Sequence, residues 1–166
     1  TTETGNVTNK NDSQWTIEGE DGKIYYGSLD NALDDTKDKN ADITLDNDAK
    51  ITGDKKLGEN VSINVPSDKT LTISDGGSLT IPEKGNLNVE GSVSVAEKGT
   101  ITNNGNVSVD TNGTITNAGN IAGSDSGKID NAGQIYNKNT GTIKSDIKTD
   151  TSKNPDADVT NFNEAT

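Results

Sequence analysis

Short alternations of apolar and polar residues, each opened by a glycine, run through the middle and later parts of this chain. Successive opening glycines are eight and six positions apart in strict alternation, and an apolar residue stands two positions after each glycine. The ten glycines are Gly77, Gly85, Gly91, Gly99, Gly105, Gly113, Gly119, Gly127, Gly133 and Gly141, and the apolar residues are Leu79, Leu87, Val93, Ile101, Val107, Ile115, Ile121, Ile129, Ile135 and Ile143. Because side chains alternate between the two faces of a strand, the pattern predicts short strands with one inward face, joined by glycine turns.

The repeat begins upstream of these glycines, since Ile63 and Leu71 extend the apolar series at the longer of the two spacings. We therefore place the repeat region at 61–143. One unit is too short to bury a core, whereas stacked units bury a continuous one. Stacking also gives each strand a neighbour about 4.8 Å away on either side, so backbone hydrogen bonds run between coils. The predicted fold is all-β, a single-stranded parallel β-solenoid.

Asparagine occupies inward positions of this pattern at regular intervals. Asn103, Asn117 and Asn131 recur at every fourteenth position, each two positions after an inward isoleucine. Identical amides stacked coil on coil hydrogen-bond one another, so we expect an asparagine ladder with a structural role. This register favours a coil of two strands and one fourteen-residue repeat. A coil of three strands, half as long again, is the alternative.

The regions on either side of the repeat have other patterns. Residues 1–13 are polar and lack periodicity, so we expect a flexible lead-in. Residues 14–60 form a predicted N-terminal cap, with two short strands, a helix over about 28–37 that Ser28 caps, and a first coil. One face of this helix carries Leu29, Ala32 and Leu33. The glycine register ends after Gly141, and residues 144–166 are expected to be a C-terminal cap, linker or coupling tail.

The amino-acid composition excludes several kinds of chemistry and several kinds of partner. With 27% hydrophobic residues and a net charge of −12, the chain has the composition of a disordered protein, and only the repeat predicts otherwise. It contains no Cys, His or Arg, which removes thiol and imidazole chemistry and the usual zinc, copper and iron ligand sets. An acidic chain without Arg repels phosphate backbones, so we expect no nucleic-acid partner. No apolar run approaches the length of a membrane span, so we expect no membrane insertion.

Carboxylates are the remaining candidates for chemistry. A glycoside hydrolase needs two carboxylates about 5–10 Å apart, and outward candidates are Asp110, Asp125 and Asp130. These residues fall at different points of the repeat, so we predict no catalytic pair. The segments closest to a calcium loop are NPDADVTN at 154–161 and EGEDG at 18–22, and neither has the ligand spacing of an EF-hand or a β-roll. We expect no cofactor, with calcium as the one ion to consider.

Several longer strings resemble a known architecture. YGSLDNALDDTKDKNADITLDNDAKI at 26–51, LTISDGGSLTIPEKGNLNVEG and GTITNNGNVSV resemble the right-handed parallel β-helix modules of bacterial surface proteins. The resemblance implies a three-strand coil with an N-terminal capping helix and a non-enzymatic adhesin or stalk module at the cell surface or secreted. Its implied partners are host or surface glycans and proteins, or the chain itself, end to end. The alternatives are a subunit of a self-assembling filament and, third, a polysaccharide-acting enzyme.

Overall fold

The computed structural model describes residues 4–11, 14–19, 22–26, 29–38, 40–45, 47–138 and 140–162. The elements in chain order are β1 Thr4–Asn11, β2 Gln14–Gly19, β3 Gly22–Tyr26, α1 Leu29–Thr36, β4 Asn40–Thr44, β5 Ala49–Ile51, β6 Asp54–Lys56, β7 Val61–Val65, β8 Thr70–Ile73, β9 Ser78–Ile81, β10 Asn86–Val89, β11 Ser92–Val95, β12 Thr100–Asn103, β13 Asn106–Val109, β14 Thr114–Asn117, β15 Asn120–Ala122, β16 Lys128–Asn131, β17 Gln134–Asn137, β18 Thr142–Ile143, β19 Asp146–Thr149 and β20 Asp158–Asn161. Within these ranges no helix has the length and apolar character needed to cross a membrane.

The strands form three sheets, and the chain visits them in turn. Sheet 1 has the order β19-β16-β13-β10-β7-β4-β1-β2-β3, sheet 2 the order β20-β17-β14-β11-β8-β5, and sheet 3 the order β18-β15-β12-β9-β6. From β4 onward all pairs are parallel and in register, with Val93 beside Ile115 and Ile101 beside Ile121. One coil is the distance along the chain between such partners, twenty-two positions in the first pair and twenty in the second. The predicted parallel β-solenoid is confirmed, the three-strand coil is correct and the fourteen-residue coil is wrong.

The core consists of the inward residues of successive coils. In strands such as β11 and β14, buried and half-exposed residues alternate strictly. Of the predicted core residues, Ile101, Val107, Ile115, Ile121, Ile129 and Ile135 are at most 2% exposed, while Ile143 packs against the core and is partly buried. Each coil adds a few apolar side chains to the same column, so a chain with little hydrophobic content still has a continuous core.

The N-terminal region differs from the prediction in one respect. Thr4–Asn11, which we expected to be part of a flexible lead-in, is a strand that pairs in parallel with β4 and antiparallel with β2. β4 is the first strand of the solenoid, so its edge away from β7 is open to an added strand. The backbone groups along that edge can pair with β1 regardless of the side-chain pattern of β1. β2 and β3 are the two short strands expected here, and they pair antiparallel as a hairpin. Residues 1–3 and 12–13 of the lead-in lie outside the described residues.

Helix α1 lies where the sequence predicted a helix, although Ser28 is outside the described residues. Its apolar face buries Leu29, Ala32 and Leu33 in the same cluster as the first coil. The Thr36 hydroxyl, also buried, donates to the Ala32 carbonyl at 2.7 Å. The helix contacts β4, β5 and β6, the three strands of the first coil.

Corners between strands have two lengths. We call a corner wide where the nearest inward residues on either side of it are six positions apart, as Ile81 and Leu87 are across 82–85, and narrow where they are four apart, as Asn103 and Val107 are across 104–105. Wide corners close with a turn hydrogen bond, as from the Gly85 amide to the Pro82 carbonyl at 2.9 Å. Narrow corners have two residues between strands, as at 104–105. The alternating glycine spacing of the sequence is therefore an alternation of corner shapes.

The predicted tail continues the solenoid as far as residue 162. β19 pairs with β16 and β20 pairs with β17, and Ile147 and Val159 pack against the core. The segment between β19 and β20, residues 150–157, forms a long corner loop. Residues 163–166 lie outside the described residues.

Candidate functional site

A polar groove of about 440 Å³ runs along the outer face of sheet 1, beside the corners that lead to sheet 2. Its floor is a column of outward side chains from successive coils: Asn64, Asn88, Ser108, Asp130 and Lys148. The column exists because these residues are register partners along β7, β10, β13, β16 and β19. Coil stacking thus brings together residues that are a whole coil apart in the chain.

The lower part of the floor is an ordered amide array. Asn88 Nδ2 donates to Asn64 Oδ1 at 2.8 Å, and Asn64 Nδ2 donates to Thr44 Oγ1 at 3.4 Å. The upper part of the floor carries other polar groups in succession: the Ser108 hydroxyl, the Asp130 carboxylate and the Lys148 ammonium group. Hydrogen-bond acceptors and donors of several kinds therefore follow one another along the groove.

One wall of the groove is the corner loop 150–157. Asn154 Nδ2 donates to the Ala132 carbonyl at 2.8 Å and to the Thr111 carbonyl at 3.3 Å, so the loop is fastened to the two preceding coils. At its start, hydrogen bonds from Ser152 lower the pKa of the Asp150 carboxyl below its ordinary value. Lys153 Nζ lies 3.6 Å from Asp150 Oδ2.

The charges of the groove are mixed. Glu90, Asp110, Asp130 and Asp150 supply carboxylates, and Lys148 and Lys153 supply ammonium groups. Such a surface presents both donors and acceptors, which suit a ligand that carries many hydroxyl or amide groups. Among the lining residues none is aromatic, so ring stacking would not contribute to binding.

The predicted hydrolase candidates are divided between two places. Asp110 and Asp130 both line the groove, whereas Asp125 lies in the corner between β15 and β16, which joins sheet 3 to sheet 1. The part of the chain that the structure describes contains no group of three or more acidic side chains placed to hold a metal ion. Of the two acidic segments considered for calcium, 154–161 contributes to the corner loop and β20, and residues 20 and 21 of the other lie outside the described residues.

The predicted asparagines are all fully buried but do not stack on one another. Asn103, Asn117 and Asn131 end β12, β14 and β16, which belong to three different sheets. One sequence repeat is two-thirds of a coil, so it moves each asparagine to another corner around the solenoid. Stacked asparagine hydrogen bonds do occur, from Asn117 Nδ2 to Asn137 Oδ1 at 2.9 Å and from Asn137 Nδ2 to Asn161 Oδ1 at 3.1 Å. Of the three asparagines predicted for the ladder, Asn117 belongs to it, and Asn103 and Asn131 do not.

Each predicted asparagine instead braces a narrow corner. Its Oδ1 accepts the amide of the glycine two positions later, at 3.1 Å for Asn103 and Gly105. The same contact joins Asn117 to Gly119 and Asn131 to Gly133. Its Nδ2 donates upward to a carbonyl of the next coil, for example from Asn103 to Lys128 at 2.9 Å. Both polar ends of a buried amide are satisfied, as a solvent-free position requires.

The predicted turn glycines lie in the corners and contact backbone of the coil beneath. A Cβ on Gly99, Gly105, Gly113, Gly119, Gly127 or Gly133 would lie 1.9–2.8 Å from a carbonyl oxygen of the preceding coil. Sequence reasoning missed the groove and the ladder members Asn137 and Asn161. The signal that would have found them is the three-strand register, which places residues one coil apart side by side.

Comparison of this chain with protein-family models, with curated proteins and with solved structures found no match.

Proposed function

We propose that this chain is a rigid, non-enzymatic structural module of a bacterial protein that is secreted or displayed at the cell surface. The observation that carries the proposal is the unbroken parallel stacking of coils in all three sheets, with the inner strands of the repeat paired on both sides. Backbone hydrogen bonds between coils run along the solenoid axis, so bending the axis would stretch many of them together. The module's role is to hold a polar surface and neighbouring segments in a fixed geometry.

The dimensions suit a segment of a stalk. Sheet 2 contains six strands, and five intervals of about 4.8 Å give about 24 Å along the axis. The outward residues of the repeat are polar on all three faces, with the exceptions of Ala122 and the ring of Tyr136. A chain with a net charge of −12 and such faces resists lateral association of its sheets.

The groove on sheet 1 is the surface that we propose for adhesion. Its amide, hydroxyl, carboxylate and ammonium groups offer a polar ligand, such as a surface glycan, several hydrogen bonds in one line. A glycan array probed with the full chain and with the double variant Asp130→Asn, Lys148→Ser tests this role. Binding that the double variant loses supports the groove, and binding unaffected by it places adhesion elsewhere.

The filament alternative receives less support from the N-terminal end. There α1 packs on the strands of the first coil and buries Leu29, Ala32 and Leu33 against them. A second copy stacking head to tail on β5 and β6 would have to displace this helix. End-to-end assembly would therefore begin with the loss of a buried apolar contact.

Electron microscopy of the purified chain distinguishes the module from the filament subunit. Discrete particles a few nanometres across are expected, and long fibres would overturn the proposal. The third alternative is tested by incubating the chain with acidic polysaccharides and measuring newly formed chain ends. Cleavage lost in Asp110→Asn or Asp130→Asn would establish an enzyme. Antibody labelling of intact cells that make the parent protein tests the surface location.

A further inference from the structure

Narrow corners nest inside wide corners of the coil beneath. At four places a glycine of a narrow corner sits between the carbonyl groups that begin and end the wide corner of the preceding coil, and a Cβ on that glycine would lie 2.0–2.4 Å from both oxygens. The glycines are Gly91 above 66–69, Gly105 above 82–85, Gly119 above 96–99 and Gly133 above 110–113. At each of these places the narrow corner fills the space between the two ends of the wide corner beneath it.

Wide corners that lie above narrow ones also fit closely. A Cβ on Gly113 would lie 2.1 Å from the Val89 carbonyl oxygen, and one on Gly127 would lie 1.9 Å from the Asn103 carbonyl oxygen. Both carbonyls belong to the residue that precedes a narrow corner. The buried amide of Asn103 then donates to the coil above at Lys128, just beyond the wide corner. Each corner is therefore matched both to the one below it and to the one above it.

Two wide corners lie beneath another wide corner, and both need an unusual backbone. The corner 58–61 lies below 82–85, and 74–77 lies below 96–99. Asn60 at φ 60° and Gly76 at φ 78° occupy the third position of these lower corners, and they are the only residues of the described chain with positive φ. Left-handed backbone is costly for most residues and favours glycine and asparagine. Both of the wide corners that lie beneath another wide corner thus contain a residue of this kind.

From the corner 82–85 onward, the sequence repeat keeps wide corners from lying beneath other wide corners. Corner lengths alternate with a period of two, while a coil has three corners, an odd number. Every corner is therefore followed, one coil later, by a corner of the opposite length. No wide corner from 82–85 onward has another wide corner above it.

We propose that this corner alternation is the device that fixes the register of the coils. The strands themselves discriminate poorly between neighbours, since GTITN occurs at both 99–103 and 113–117. A slip by one coil keeps every apolar residue inward, so the core alone would tolerate it. The same slip places wide corners on wide and narrow on narrow at all three corners. Corner shape therefore penalises a register error that the side chains permit.

Two internal duplications in the full chain test the role of corner alternation, because we expect them to shift the urea midpoint of unfolding in opposite directions. Duplicating 79–100 adds one whole coil, but it places each corner of the added coil above a corner of the same length. Duplicating 79–120 adds two whole coils and keeps the alternation. Added coils ordinarily stabilise a solenoid, so we expect the two-coil duplication to raise the urea midpoint of unfolding and the one-coil duplication to lower it. A midpoint that rises in both, or falls in both, overturns the proposal.

A fractional duplication provides the sharpest comparison. Repeating 79–92 adds one sequence repeat, which is two strands and not a whole coil, yet it keeps the alternation of corners. We expect this variant to keep the wild-type midpoint or exceed it, above that of the whole-coil duplication of 79–100. If the duplication of 79–100 had the higher midpoint, the addition of whole coils, rather than the alternation of wide and narrow corners, would set the register.

A rescue variant separates corner shape from a general intolerance of inserted residues. In the duplication of 79–100, Lys84→Gly and Lys98→Gly in the copy nearer the N-terminus place glycine where Asn60 and Gly76 stand in the native corners. We expect a partial recovery of the midpoint there and a lower midpoint when the same two changes are made in the unduplicated chain. No recovery in the duplicated chain would contradict the role of left-handed backbone in wide-on-wide stacking.

Discussion

Gly105→Ala tests the close approach between coils at a single atom. Gly105 lies in a narrow corner, and a Cβ there would be 2.2 Å from the Pro82 oxygen and 2.4 Å from the Gly85 oxygen. Both neighbours are backbone atoms of a hydrogen-bonded turn, so neither can swing away as a side chain would. To reach ordinary contact the two coils would have to separate locally by about an ångström, which would stretch the hydrogen bonds between them.

The expected cost follows from the geometry. Overpacking a well-packed site costs about 1–3 kcal/mol, and a clash with backbone on two sides places Gly105→Ala near the upper end. Replacing glycine also reduces the entropy of the unfolded chain, which returns about 0.4–1 kcal/mol. The net loss is about 2–2.5 kcal/mol, equivalent to a fall in Tm of about 4–10 °C for a chain of this size.

Gly53→Ala is the matched control. Gly53 has the same place in a narrow corner of the first coil, but a Cβ there meets nothing within 4 Å. Only the unfolded-state term remains, so we expect a gain of about 0.4–1 kcal/mol. Urea unfolding followed by far-ultraviolet circular dichroism measures both variants, with equal slopes confirming that the midpoints can be compared. Two variants within about 0.5 kcal/mol of each other would refute the nesting of corners.

Three further predictions concern the brace, the core and the corner loop. Asn103→Ala removes a buried hydrogen bond to Gly105 and a partly buried one to Lys128, and should cost about 2–4 kcal/mol in urea unfolding. Asn106→Ala, on the outer face, should change stability by less than about 0.5 kcal/mol; equal effects would contradict the bracing role. Ile115→Ala, at 1% exposure, should cost about 2–5 kcal/mol, with Thr116→Ala as the outward control. The folded-state pKa of Asp150 is lowered from 3.8, chiefly by the hydrogen bond from Ser152, so its contribution is present above that value and lost as pH falls through the folded pKa. The protection of corner-loop amides against exchange, relative to the unfolded chain at the same pH, should fall there in the wild-type chain and not in Asp150→Asn.

The alternation of side chains allowed the fold to be predicted from sequence. Inward positions such as Ile101 and Ile129 follow each glycine at a fixed distance, and the structure buries them as expected. The helix over 29–36 was equally accessible, since Leu29, Ala32 and Leu33 share one helical face. These features depend on neighbours close in sequence, and local periodicity records them directly.

The number of strands in a coil could not be read from the same periodicity. Asn103 and Asn117 are one sequence repeat apart, and a two-strand coil would place them side by side. The structure separates them onto different sheets, because the repeat of the sequence and the turn of the solenoid have different lengths. The groove could not be predicted for the same reason, since Asn88, Ser108 and Asp130 become neighbours only when three strands make one turn.

The mismatch between repeat and turn determines where the chain leaves the solenoid. Each sequence repeat advances the chain by two of the three faces, which is two-thirds of a revolution. A variant with one repeat more or fewer would keep its corners matched, yet would direct the segment that follows toward another face of the same rod. Three repeats return the exit to its original direction and lengthen the rod by two coils, about 10 Å. The number of repeats in such a solenoid therefore sets the direction, around the axis, in which the next segment leaves, as well as the length of the rod.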